Sequence, residues 1–136
     1  MREKIPDKNK ALSLILSAEK DMLYTLRLEI SDEAANTIIR NVYECFRMLG
    51  EALLIGRGIE TSDHIMMINE IINLKIETSR SLFILDNLRR LRHNINYYAY
   101  RANKEEAKNF ISLAKSDFSN IFIKVKEIIE TNKSYS

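Results

Sequence analysis

The sequence predicts an all-α protein, an up-and-down bundle of four to five helices. Two observations carry this. Apolar residues recur at three- and four-residue spacing along nearly the whole chain, the period of an amphipathic helix. Punctuation is scarce, with three Gly and one Pro in 136 residues, too few turn formers for a β-sandwich or barrel. A chain of this length makes one domain, residues 1–136, with a substantial core. A composition of 46% hydrophobic and 29% charged residues excludes general disorder. The ends, residues 1–7 and 132–136, are expected to fray.

In residues 8–28 the positions Leu12, Ile15, Leu16, Met22, Leu23 and Leu26 form the apolar stripe of a first helix. Ser31 suits an N-cap, with Asp32 and Glu33 placed against the positive end of a second helix over about residues 32–55. That helix carries Ile39, Val42, Tyr43, Phe46, Leu49, Leu53 and Leu54, and Gly56 or Gly58 supplies a left-handed stop. Thr61 or Ser62 caps a third helix bearing Ile65, Ile68, Ile71, Ile72 and Leu74. A polar break at 77–80 precedes a fourth helix, about residues 81–101. Asn103 followed by Glu106 is a capping box that opens a fifth, with Phe110, Ile111, Phe118, Ile121, Phe122 and Val125 on its apolar face.

The net charge of +2 is too small to make the whole surface a nucleic-acid binder, so any such role needs local clustering. A lone Cys45 and a charged start without a signal-type apolar region point to a cytoplasmic chain. No apolar run approaches the roughly 18 residues of a membrane span. His64 and His93 are the only histidines and no cysteine pair occurs, so no metal centre is expected. Gly50, Gly56 and Gly58 follow a helix rather than open one, and no cofactor-binding loop is present.

Clustering occurs in one place, Leu88-Arg89-Arg90-Leu91-Arg92-His93-Asn94-Ile95-Asn96-Tyr97-Tyr98, a cationic block lying between Asp86 and Glu105. At about 100° per residue, Ile84, Leu85, Leu88, Leu91, Ile95, Ala99 and Ala102 share a core face. Arg92 falls at its edge, with Arg89, Asn96, His93 and Tyr100 on the same flank, so these five are expected to line one groove. A guanidinium at a core boundary needs a carboxylate, a phosphate or carbonyls. An imidazole can move a proton near neutral pH, and a tyrosine can stack on a base. Those are parts for binding RNA or a nucleotide, with Tyr97 as a further contact. The plainer alternative stays open: basic clusters on helices are usually solvated faces, and the tyrosines then simply pack.

Two segments resemble the HEPN domains, a family of small all-helical proteins. Ile39-Arg40-Asn41-Val42-Tyr43-Glu44-Cys45-Phe46, followed by Glu51-Ala52-Leu53-Leu54-Ile55-Gly56-Arg57-Gly58-Ile59, is similar to that family's aromatic pair, Ala-Leu-Leu run and Gly-Ile exit before a histidine, here His64. Leu91-Arg92-His93-Asn94-Ile95-Asn96-Tyr97 looks like its signature of an arginine, a polar residue and a histidine a few positions on. The resemblance implies a homodimer whose signature helices meet across a cleft. It also implies either metal-independent ribonuclease activity or RNA or nucleotide binding without catalysis, and often a small nucleotidyltransferase partner in toxin–antitoxin fashion.

The chain departs from the active pattern at the histidine. Aligned on Ile95-Asn96-Tyr97, Asn96 takes that place; counted from Arg92, Tyr97 does. Neither an amide nor a phenol is an efficient general base near neutrality. The catalytic candidates are therefore Arg92, Asn96 and the displaced His93, and the binding candidates Arg89, Arg92, Asn96, Tyr97 and Tyr100. The expected function is RNA or nucleotide binding in a basic cleft. The alternatives are an active ribonuclease toxin using His93 and a non-catalytic interaction module using the apolar face of the fifth helix.

Overall fold

The computed structural model describes residues 1–131 and winds them into helices α1 (Lys8–Thr25), α2 (Ala35–Gly56), α3 (His64–Ile72), α4 (Ile84–Tyr97) and α5 (Lys104–Thr131). Strands β1 (Arg2–Glu3) and β2 (Ile59–Glu60) form one small antiparallel ribbon. The all-α expectation holds, and no helix among the described residues is long and apolar enough to cross a membrane.

α2 is the axle of the bundle and packs on every other helix. Fifteen of its 22 residues are buried, among them Ile38, Ile39, Val42, Tyr43, Phe46, Leu49 and Leu53, so it has almost no solvent face. At about 100° per residue its charged residues Arg40, Glu44, Arg47 and Glu51 share one strip, and most of the remaining circumference belongs to the core. Cys45 is buried there and burial pushes its thiol up to about 12, which leaves it unreactive at neutral pH.

α1 lies against α2 through Ala11, Ile15, Ala18, Met22 and Thr25. Leu16 and Leu23, expected on that face, are more than half exposed. The stripe turns on two alanines because small side chains allow a close approach to α2; the larger leucines rotate outward. Asp7 caps α1 by accepting from the Lys10 N–H (2.9 Å). Residues 1–7, expected to fray, are tied down: Arg2 pairs with Glu60 and Glu3 with Ile59, and the Lys4 N–H donates to the Gly58 carbonyl. The fray expected at 132–136 lies outside the described residues.

Several caps differ from the expected ones. Ser31 accepts from the Ala34 N–H (3.0 Å), but Asp32 turns away from α2 and accepts from the Lys104 N–H (2.6 Å) at the start of α5. Gly58, with φ of +80°, takes the left-handed turn after α2. Asp63 rather than Thr61 or Ser62 caps α3, accepting from the Ile65 and Met66 N–H groups.

α3 approaches α2 closely at Gly50, where a Cβ would lie 1.9 Å from the Met67 carbonyl oxygen. Only glycine fits that crossing. The irregular stretch between α3 and α4 runs from 73 to 83, longer than the break expected at 77–80. Buried Asp117 of α5 holds it by accepting from the Ser79 N–H (2.9 Å) and hydroxyl (2.7 Å).

α4 stops at Tyr97, four residues before the expected end. Ala99 adopts φ of +55°, and the N–H groups of Tyr98 and Tyr100 both return to the Asn94 carbonyl. That turn exposes Ala99, which was expected in the core, while Ala102 is buried beyond the helix end. The α4 residues buried are Leu85, Leu88 and Ile95.

The capping box opens α5 as expected: the Glu106 N–H donates to Asn103 (2.9 Å) and the Asn103 N–H to Glu106 (3.1 Å). Ile111, Phe118, Ile121, Phe122 and Val125 are all buried within the chain itself. The side chains expected to make a face for a partner therefore pack inside this chain, while Ile123 of the same helix is exposed.

Candidate phosphate-binding face

The proposed site residues do not form one groove. Helix geometry turns Arg89, Arg92 and Asn96 toward α2, while His93 and Tyr97 point outward and Tyr100 lies beyond the helix end.

Arg92 is half-buried, and its guanidinium lies over the Tyr43 ring, 5.2 Å from the centroid. This is a cation–π contact, in which the ring's negative face attracts the charge. It needs no oxygen acceptor. Among the described residues no carboxylate or carbonyl takes an Arg92 N–H, so the whole donor fork stays unmatched.

Arg89 donates through Nε (3.1 Å) and Nη2 (3.0 Å) to Asp86 one turn back, and Arg90 pairs with the other oxygen of the same carboxylate (3.0 Å). Both are thus partly neutralised within α4. Asn96 accepts from Arg40 Nε of α2 (2.8 Å). The Asn96 amide thereby serves as a tie between helices.

His93 is exposed and packs beside Tyr97 (4.7 Å between ring centroids) and Tyr98 (5.7 Å). These rings form an aromatic surface of their own. Tyr100 is directed to α5, where its hydroxyl donates to Glu106 (2.8 Å), and that carboxylate raises the phenol's pKa.

Under Arg92 lies a cluster that sequence reasoning did not assemble. Tyr43 is 1% exposed, and its hydroxyl is 3.0 Å from Nδ1 of His64, the first residue of α3. The two rings sit 5.9 Å apart. Burial raises the Tyr43 pKa, against the pull of Arg92 and Arg47. His64 is lowered, first by burial and then by the charges of Arg47 and Arg92, so its neutral form is favoured.

Arg47 completes the cluster and is fully engaged. It donates to both oxygens of Glu44, to Glu51 (3.3 Å) and to the Met67 sulfur (3.0 Å). Its hydrogen bond holds the Glu44 carboxyl below its usual range. One signal for this cluster was available in the sequence: a tyrosine on the apolar face of α2 needs a partner for its hydroxyl. Which partner depends on how α3 folds back.

A recess of about 280 Å³ lies elsewhere, between the N-terminal arm and the end of α2. Its lining mixes Lys4, Lys10, Asp7, Glu51 and Glu60, and Lys4 is already paired with Glu60 (2.7 Å). Such a mixed and internally paired lining selects no charged ligand, so the Arg92 face is the better candidate despite its shallowness. Among the described residues no three His, Cys, Asp or Glu side chains gather as a metal site. No protein-family model, curated protein or solved structure matches the chain.

Proposed function

We propose that the chain is a HEPN-type protein that binds RNA or a nucleotide where α2, α3 and α4 meet, with a degenerate ribonuclease motif and little or no cleavage. The observation that supports this is the unmatched guanidinium of Arg92, half-buried over Tyr43. Desolvated N–H donors gain most from a charged acceptor, and a planar fork suits phosphate oxygens. Asn96 does not titrate and is tied to Arg40, which favours binding over proton transfer. The homodimer with α4 helices across a cleft, and a small nucleotidyltransferase partner in a toxin–antitoxin-like pair, belong to the same reading through the sequence resemblance.

The test is labelled single-stranded RNA with chelator present, across a salt series, with wild type beside Arg92→Ala. We expect intact RNA, binding that weakens as salt rises, and a loss of about tenfold in the variant. Salt-independent binding, or a variant that binds as well as wild type, would end the reading.

A second reading, a metal-independent ribonuclease, is favoured by one observation: His93 is exposed, adjacent to Arg92 in sequence, and hydrogen-bonded to no other side chain among the described residues. It requires chelator-resistant cleavage that disappears in His93→Ala.

A further inference from the structure

Arg92 is not the only group near Tyr43 whose donors are unmatched. His64 reaches the same ring from a different helix, because the glycine crossing at Gly50 lets α3 lie directly on α2. We propose that His64, oriented by the Tyr43 hydroxyl, is the second half of the phosphate site begun by Arg92. The inference rests on the phosphate-binding reading above and adds to it a residue from α3, a tautomer and a proton.

The tautomer follows from the contacts. A buried phenol that stays protonated must place its proton on an acceptor. Among the described residues the acceptor within reach of the Tyr43 hydroxyl is Nδ1 of His64, at 3.0 Å. With Nδ1 accepting, the neutral imidazole carries its hydrogen on Nε2. No described residue takes that Nε2–H. The Tyr43 ring is therefore flanked by two sets of unmatched donors, the Arg92 guanidinium at 5.2 Å and the His64 imidazole at 5.9 Å. Neither offers an acceptor, which is the polarity an anionic oxygen requires. Tyr43 touches no ligand in this scheme; it positions His64.

Binding should also move a proton. The charges that face His64 are Arg47, Glu44 and Glu51 of α2 and Arg92 of α4, and the cations outweigh the acids. On its own helix, Asp63 is committed to the Ile65 and Met66 N–H groups. A bound phosphate adds negative charge beside the ring and works against those cations, so the imidazole takes up a proton from solvent more readily than in the free protein.

The alternative is a Tyr–His pair that only packs, its outer nitrogen facing water. Nitrogen-resolved NMR of the histidine rings separates the two in the unsubstituted protein, titrated with inorganic phosphate, with adenosine monophosphate and with single-stranded RNA. We expect His64 to start as the Nε2–H form and its titration midpoint to move upward with ligand, while exposed His93 moves less. His64→Gln should weaken RNA binding by about tenfold. Tyr43→Phe should mix the tautomers and weaken binding less, since the imidazole remains. A response to the mononucleotide but not to RNA supports a nucleotide site, and a response to both supports an RNA phosphate site.

Two results overturn the inference. If His64→Gln binds RNA as tightly as wild type while Arg92→Ala does not, the phosphate-binding reading stands and His64 has no part in it. If ligand leaves the His64 resonances unchanged, the pair is structural whatever the variants do. Loss of both ideas together has its own sign, namely RNA binding that Arg92→Ala leaves intact.

Discussion

Arg47 and Arg92 flank the same tyrosine and histidine, and both are largely withdrawn from water. Arg47 lies in the seam between α2 and α3, where Glu44, Glu51 and the Met67 sulfur take its donors. Arg92 lies in the seam between α2 and α4, where the Tyr43 ring takes its charge and no described residue takes its donors. A guanidinium with satisfied donors stabilises a fold, and one without them is left for something outside it. The pair shows that burial of an arginine is not by itself informative; the state of its donors is.

The seam between α2 and α3 should respond most strongly to added volume. Gly50→Ala drives a Cβ into the Met67 backbone and should cost about 3 kcal/mol, read from the denaturant midpoint. The same substitution should separate His64 from Tyr43, visible in the histidine ring resonances. If Gly50→Ala is neutral, the seam is looser than its geometry states.

Arg47→Ala should cost about 2 kcal/mol, because Glu44 and Glu51 lose their common partner; exposure of Glu44 moderates the effect. Arg92→Ala should cost less than about 1 kcal/mol of stability, the size of a cation–π contact. Its effect should appear in RNA binding instead, with the salt slope reduced by about one. Equal stability losses in the two variants would erase the distinction between them.

Acid should weaken the cluster in a definite window. The folded pKa of His64 lies below its ordinary 6.5, so the unfolded chain binds a proton more readily. The corresponding stability is present above 6.5 and is lost as pH falls from there through the folded value. Glu44, lowered from 4.5, adds a loss of the same sign at lower pH. Thermal unfolding from pH 7.5 to 5 should show a decline that is flatter in His64→Gln. A midpoint that rises on acidification would contradict the arrangement of Arg47 and Arg92 around the imidazole.

The smallest effect belongs to Asn96. Its bond to Arg40 is exposed, so Asn96→Ala should change stability by less than about 0.5 kcal/mol.

The legible parts of the fold were those set by local periodicity and local hydrogen bonding. The five helices, the box at Asn103 and Glu106, and the left-handed exit at Gly58 all involve residues a few positions apart. Arg92 at the edge of the α4 core was legible for the same reason. What was hidden depends on partners distant in sequence. Asp32 was available to cap α2 and caps α5 instead, 72 residues away. The exposure of Leu16 and Leu23 follows from how closely Ala11 and Ala18 let α1 approach α2, which no helical wheel contains. The end of α4 escaped notice because an alanine, not a glycine, takes the positive φ, and this detached Tyr100 from the expected groove. The Tyr43–His64 pair needed the close crossing at Gly50 before either residue had a neighbour.

The shallow seating of α4 has a consequence for motion. With Leu85, Leu88 and Ile95 buried, against fifteen buried residues in α2, it has little apolar surface holding it to the rest. Local opening costs least where least is buried. Amide hydrogens of α4 should therefore exchange with deuterium well before those of α2, and the helix that carries Arg92 can shift its seat without unfolding the axle of the bundle.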